Sequence, residues 1–500
     1  MKLKREHIVV LLLFLSYFLT RMYFSYQTDN LTGDYSYFAL RQIESIQETG
    51  KPILNDNLSY AGRTFVFMPF YIYILSLLTL FTPTVLTLKI LTNLFASTVI
   101  IAVYIVSSKI IKKKHIPIIC AVTAGSIPVY INETINSISP YSVLIPCAFF
   151  LVYYFLELSK DKDVVGNLLF VSIITILVTP ASILLVAGIV TYHIINFIEN
   201  IKPSRIELEY TIFLVFFYLW AYFIMYKNAF TTHGFSVIWE NTPTLLFEDY
   251  FKNIDILNLI TGIGLIPFLF GSYAAYSYIL KKKSKSIIIF VSFFVVTLGL
   301  FWFRLIESGL AIIFLGSSLI ILFGQALKDI LSYIKHTKFS HNQNKIYAVI
   351  LLILFLTQGL PGIYAFTNTN SNTYKDSFMQ DFLWLKENTK SGSVIIADIS
   401  EGHLLTYISE RKNMVDSETL LISDINTRME DLKTLYTTKF KIEAIRTFNK
   451  YDADYLVLSK NSKSRYNIES ISYIEDECFI EIYKNEIVVY EKRKRCEIKE

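Results

Sequence analysis

The chain has 500 residues, of which 53% are hydrophobic and 15% aromatic, with a formal net charge of +5. A mean hydropathy of +0.44 excludes the three or four soluble domains that this length would otherwise suggest, and the basic residues sit in short loops, which excludes a nucleic-acid partner and leaves the lipid bilayer as solvent. Four Cys are too few for a disulfide framework; Cys120 and Cys147 fall in apolar segments as packing residues, and although Cys478 and Cys496 could pair, unpaired thiols are expected.

The first apolar segment, 8–25, follows Lys2, Lys4 and Arg5 and lacks a small-x-small cleavage pattern. It reads as a retained signal anchor that starts in the cytoplasm. The stretch 30–63 then interrupts the apolar run. Asp34 follows Gly33, and Tyr35, Phe38, Ala39, Ile43 and Ile46 recur at helical spacing, with Arg41, Gln42, Glu44 and Gln47 on the other side. Gly50 and Pro52 stop the pattern. This predicts a short amphipathic helix within a long external loop, 26–83, beside the membrane. Residues 65–82 are apolar, but only Thr82-Pro83-Thr84 separates them from the next apolar run, 84–108. If both crossed, Lys109, Lys112, Lys113 and Lys114 would lie outside, against the positive-inside rule. The first run, interrupted by Pro69, is therefore expected to be re-entrant or interfacial.

Segment 116–131 leads out and 142–157 returns; 164–198 is split by Thr179-Pro180 into two helices. Segment 210–227 leads to a second external loop, about 228–255, and 256–280 returns to Lys281, Lys282, Lys283 and Lys285. Segments 286–303 and 308–324 form a hairpin with Arg304 and Glu307 at its outer turn, and 346–364 leaves for the last time. The total is about eleven spans, which places the C-terminus outside. After 367–373 the composition becomes charged. A helix at 376–388, a strand at 393–399, a short helix at 403–409, a short strand at 413–415, helices within 418–449, a strand at 455–458 and a terminal hairpin of 478–483 with 487–491 argue an α/β layer domain. The expected fold class is a polytopic α-helical membrane protein, 1–366, with a C-terminal extracytoplasmic α/β domain, 374–500.

The order of features in the first loop resembles that of the GT-C glycosyltransferases: membrane segment, Asp34, aromatic-rich amphipathic helix, Gly50-Lys51-Pro52, then a polar stretch with a further acid, Asp56. These are multi-spanning enzymes that take sugars from polyprenyl-phosphate carriers, and the protein O-mannosyltransferases and archaeal oligosaccharyltransferase-like proteins are the similar members. The resemblance implies an inverting transferase at the outer face of a cell membrane, with Asp34 catalytic and Tyr37 and Asp56 binding substrate. It implies a second acidic site at Glu133, in Asn132-Glu133-Thr134. In oligosaccharyltransferase catalytic subunits a pair of acids there joins the first Asp on a divalent cation, and hard oxygen ligands suit Mg²⁺ or Mn²⁺. Here the pair is missing, which counts against the one cofactor the resemblance suggests. It also gives Arg304, after Phe301-Trp302-Phe303, to the phosphate of the lipid carrier, which guanidinium binds bidentately. Without that role Arg304 is a snorkelling residue paired with Glu307.

Residues 381–388, 394–399, 401–411 and Val415-Asp416 resemble the soluble domain of archaeal oligosaccharyltransferase-like proteins. A Trp-Trp-Asp-x-Gly motif there contacts the acceptor sequon; this chain has Ile399-Ser400-Glu401-Gly402, with neither Trp and with Glu for Asp. The expected acceptor is therefore a protein, lipid or glycan, and transfer to Asn is the alternative. A membrane scaffold or a transporter is the alternative of another class. A transporter should show broken, polar spans near the midplane, whereas these spans are nearly free of charge and the acids lie at the outer edge. The sequons at Asn30, Asn57 and Asn132 all fall in loops placed outside.

Overall fold

Helix Arg5–Ser25 leaves Leu12 60% and Leu19 64% exposed, a surface that suits lipid rather than water. The computed structural model describes residues 5–113, 115–234, 256–281, 284–474, 478–493 and 496. Lys2, Lys4, Lys114, Lys282 and Lys283 of the charge reading, and most of the loop at 228–255, lie outside the described residues. Among those residues seven helices are long and apolar enough to cross a bilayer, or nine if each of two bent pairs is one span. The protein is a multi-pass membrane protein. The expected eleven spans are reached only by adding Tyr141–Glu157 and Val165–Val178, of 17 and 14 residues, both short of the ~20 that a spanning helix needs.

Two expected spans are broken. Ile116–Gly125 meets Pro128–Thr134 at 49°, and Ile256–Ile263 meets the following helix at 101°. The second break is at Gly264, φ +107, where a β-carbon would collide with the Gln358 side chain, so only glycine fits. Gln358 lies in the π-helical turn Phe355–Gly359 and donates to the Ser126 carbonyl (3.1 Å). One buried amide thus sits where three helix irregularities meet, as expected where backbone groups freed inside a membrane need partners.

The 65–82 run holds a ten-residue helix, Phe70–Thr79, about 15 Å long and half the hydrocarbon thickness. It buries Tyr71, Ile72 and Leu75 under the loop helix Asp34–Thr49. That helix ends at Gly50, whose left-handed φ of 75 lets its N–H reach the Ile46 carbonyl. A two-strand ribbon follows, β1 (Asn55–Asp56) and β2 (Arg63–Thr64), with Asp56 opposite Arg63.

In the C-terminal region, five strands among the described residues form one mixed sheet: β3 (Val394–Ile396), β4 (Lys412–Asn413), β5 (Ala453–Leu458), β6 (Phe479–Lys484) and β7 (Val488–Lys492), in the order β4-β3-β5-β7-β6. β3 is parallel to β4 and β5, and all three of its residues are buried, the pattern of a strand covered on both faces. Phe378, Phe382 and Leu385 of helix Asp376–Asn388 join Tyr37, Phe38, Leu40 and Ile43 of the loop helix in one core, so the loop and the C-terminal region pack as a unit. The helix Lys460–Tyr466 was not expected. Its capping box pairs Ser459 with Ser462 and so lacks the Glu or Gln that marks such a start. Cys478 and Cys496 form a disulfide, correcting the expectation of free thiols; the Arg493 N–H donates to the Cys478 carbonyl and turns the chain end back on β6.

Candidate active site

The path into the loop helix is fixed by two cations that the reading of nearly charge-free spans missed. Arg21, fully buried, donates to Asn93 Oδ1 (2.9 Å), Thr134 Oγ1 (2.9 Å) and the Tyr17 hydroxyl (3.1 Å). Lys89, buried one turn before Asn93, donates to the carbonyls of Ser25 (3.2 Å) and Thr28. Charges at such depth persist only where dipoles satisfy them. Asn136 completes the anchor: its amide donates to the Asn30 carbonyl (2.8 Å) and its carbonyl accepts from Thr32 N–H (2.8 Å). Asp34 then opens the loop helix.

The Asp34 carboxylate is only 8% exposed. Oδ1 accepts from the main-chain N–H groups of His403 and Leu404, both at 2.9 Å, and Oδ2 accepts from the Ser417 hydroxyl at 3.2 Å. Burial pushes its pKa above the usual carboxylate range; the His403 side chain and the Leu404 N–H pull it down, and Asp416 pushes it further up. The His403 ring lies 5.1 Å from that of Phe38, with Nε2 3.5 Å from Asp416 Oδ1. Asp416 is fully buried and accepts from Ser59 Oγ (2.5 Å), Asn413 Nδ2 (3.0 Å) and the Glu418 N–H (3.1 Å). Arg63 lies 3.6 Å from Asp416 and donates to the carbonyls of Glu418 and Leu420 (2.6 Å), its guanidinium 4.4 Å from the Phe65 ring centre. Burial raises the pKa of the half-buried Glu418, with His403 and Arg63 opposing. Three carboxylates, one guanidinium and one imidazole thus converge where the loop after the first helix meets the C-terminal region. Ser417 is exposed, so the Oδ2 side of Asp34 is the side nearer the surface.

No protein-family model and no curated protein matches the chain. Solved structures do match. The oligosaccharyltransferase of Archaeoglobus fulgidus tethered to an acceptor peptide with an NVT sequon is similar with a TM-score of 0.65 at 13% identity, over 89% of this chain and 69% of that one. The same enzyme in complex with Zn and sulfate gives 0.62 at 14% identity, over 89% and 67%. ArnT of Cupriavidus metallidurans bound to undecaprenyl phosphate gives 0.55 at 11% identity, over 98% of this chain and 99% of that one. The chain has the GT-C fold.

Within this GT-C fold, Tyr37 lies one turn after Asp34. It is buried, donates to the Leu31 carbonyl (3.2 Å), and its ring centre is 5.8 Å from those of Tyr374 and Tyr407. Asp56 is held bidentately by Arg41 (2.6 and 2.7 Å) and faces Arg63 across the β1–β2 ribbon; it anchors the strand that delivers Arg63. Glu133 is exposed on Pro128–Thr134, with Oε1 3.2 Å from where a β-carbon on Gly309 would stand. Arg304 is exposed at the turn before Ser308–Lys335, with φ +56. Glu133 thus lies beside Gly309, in the first turn of the helix that follows Arg304. Glu401, at the motif position, is fully buried: its Oε1 accepts from Asn461 (2.8 Å), and burial and then Asp398 push its pKa up to about 8.

Arg63, His403, Asp416, Ser417 and Glu418 escaped sequence reasoning as site residues. The one local signal was Asp416-Ser417-Glu418, a polar run just after the buried Asn413-Met414-Val415; strand-to-loop exits of this kind carry function in many folds.

The resemblance to oligosaccharyltransferases implies a divalent cation, and the similar A. fulgidus structure is a complex with Zn and sulfate; around Asp34 the described residues offer no grouped ligand set. Among the described residues no group of three His, Cys, Asp or Glu is placed to hold a metal. Both Asp34 oxygens face protein donors, and so do both of Asp416.

Proposed function

We propose that this GT-C chain transfers a sugar, with inversion, from a polyprenyl-phosphate carrier to an acceptor on the outer face of the membrane, with Asp34 as the base. A buried carboxylate, held by three hydrogen bonds at the junction of loop and C-terminal region, carries this reading. The acceptor O–H or N–H gives up its proton as it attacks the anomeric carbon, and the phosphate leaves as a stable anion without a strong acid, so one base suffices. Burial makes Asp34 more basic than a solvated carboxylate. No step runs through a divalent cation. Purified protein in nanodiscs, given a synthetic polyprenyl-phosphate hexose and membrane-extract acceptors, is expected to release polyprenyl phosphate only with acceptor present. Absence of release across the common hexoses would reject the reading. The likeness to the peptide-tethered A. fulgidus enzyme favours a second acceptor, Asn in a sequon; the buried Glu401 and the missing Trp pair speak against it. A sequon peptide that outcompetes hydroxyl acceptors would reverse that order.

Residues 1–366 form the GT-C-like membrane domain in this reading, and 374–500 a soluble domain outside. The disulfide Cys478–Cys496 supports the orientation, since such bonds persist in oxidising compartments, and so does the basic run Lys109, Lys112 and Lys113 on the opposite side. With Cys introduced at Lys113 or Ser391, a membrane-impermeant maleimide applied to intact cells is expected to label only position 391. Labelling at 113 alone would invert the topology.

Arg304 takes the carrier phosphate. Arg304→Ala is expected to raise the apparent KM for the carrier-linked sugar about tenfold, the scale of one charge-assisted hydrogen bond, and Arg304→Lys to restore it only in part, because ammonium lacks the planar fork. Unchanged KM in both variants leaves Arg304 an interfacial anchor beside the exposed Trp302 and Phe303.

A further inference from the structure

We infer that Ser417, together with the main-chain N–H groups of His403 and Leu404, neutralises Asp34 in the role a divalent cation would otherwise fill, which makes Ser417 a positioning residue of a cation-independent transferase. The activity part of this inference rests on the proposed function. A carboxylate this deeply buried protonates unless charged or dipolar partners hold its anion. Asp34 has three such partners, all from the C-terminal region and more than 360 residues away in sequence. These bonds take three of the roughly four lone-pair sites of the carboxylate, which leaves a cation one site, on Oδ2. A cation would also need several further ligands, and among the described residues no group of three His, Cys, Asp or Glu is placed to supply them; on the neighbouring Asp416, Ser59 and Asn413 occupy one oxygen and the Glu418 N–H takes one site of the other. The same bonds fix the next residue, Ser417, so the clamp on Asp416 also sets the hydroxyl that reaches Asp34. Among the described residues that hydroxyl is the one side-chain hydrogen-bond partner of Asp34, and it belongs to an exposed residue.

The charged and titratable groups that face Asp34 are His403 and Asp416, then Glu418, Glu401, Tyr37 and Tyr374. None of them is altered by a change at position 417. Loss of the Ser417 hydrogen bond disfavours the charged form, so the acid limb of the pH–rate profile for kcat/KM should move up by about one pH unit in Ser417→Ala. The variant then loses about tenfold below that limb and nothing above it, while Ser417→Thr keeps the wild-type limb. A uniform loss at every pH, with the limb unmoved, would overturn the positioning role. Metal binding gives the second readout. Purified wild-type and Asp34→Asn protein are stripped with EDTA and then titrated with Mn²⁺ alone, followed by electron paramagnetic resonance. No stoichiometric site that depends on Asp34 is expected. One equivalent of Mn²⁺ bound by wild type and lost in Asp34→Asn would overturn the inference. This titration needs no turnover, so it decides the Asp34 chemistry even if every carrier-linked sugar proves inert and the transferase reading fails.

Discussion

Asp34→Asn is expected to fold, insert and bind the carrier-linked sugar, yet to transfer it at least ~10²-fold more slowly, the usual minimum for a removed general base. The substitution isolates the chemistry well. The Asn carbonyl can accept both N–H groups that Asp34 Oδ1 accepts from His403 and Leu404, and the new amide can donate to Ser417, so the packing of loop against C-terminal region is preserved. What disappears is the proton acceptor. The pH dependence separates the two enzymes further. With its carboxyl pKa raised by burial, wild type should lose activity as pH falls through a value above the ordinary carboxylate range, because the base is then protonated. The residual rate of Asp34→Asn should lack that limb. Single-turnover transfer with purified protein measures both, and near wild-type turnover in Asp34→Asn would remove the residue from the mechanism.

The largest effect on stability is expected at Asp416. Asp416→Ala strands Arg63 and His403 and empties the acceptor positions used by Ser59, Asn413 and the Glu418 N–H. Removing one partner from a buried charged cluster costs about 3–5 kcal/mol, because the remaining charge stays desolvated. The cost should appear as a lowered melting temperature and as new proteolysis between the loop of residues 26–83 and the C-terminal region, where Ser59 and Tyr60 now tie the two together. Asp416→Asn keeps one carbonyl acceptor and should lose less. A change within about 0.5 kcal/mol, the range of ordinary surface substitutions, would mean that Asp416 does not hold this junction.

Much of the architecture could be read from local pattern. The loop helix followed from a 3.6-residue period and from Gly50, and both appear where expected. The charges after the next span argued that 65–82 does not cross, and that run holds a helix of only ten residues, Phe70–Thr79. Other features leave no local trace. Ile256–Ile263 and the helix after it lie in one continuous apolar run, so periodicity cannot reveal a 101° bend that depends on Gln358 filling the space above Gly264. Arg21 and Lys89 vanish inside strongly apolar windows, although their partners Asn93, Thr134 and Asn136 are polar residues of the same segments. The site was half legible. Asp34 stands out as an acid at a membrane edge, but its partners are set by the docking of a sheet that begins 360 residues later, and no spacing in a single sequence encodes that pairing. At Asp56 too nothing in the sequence marks its partners, the bidentate Arg41 and, across the ribbon, Arg63.

The most direct test is the profile of lipid-linked sugars, measured by mass spectrometry, in cells that lack the protein. The account predicts that one polyprenyl-phosphate sugar accumulates, that the wild-type gene clears it, and that the Asp34→Asn gene, expressed and inserted to the same level, does not. An unchanged profile, or equal clearance by Asp34→Asn, would contradict it.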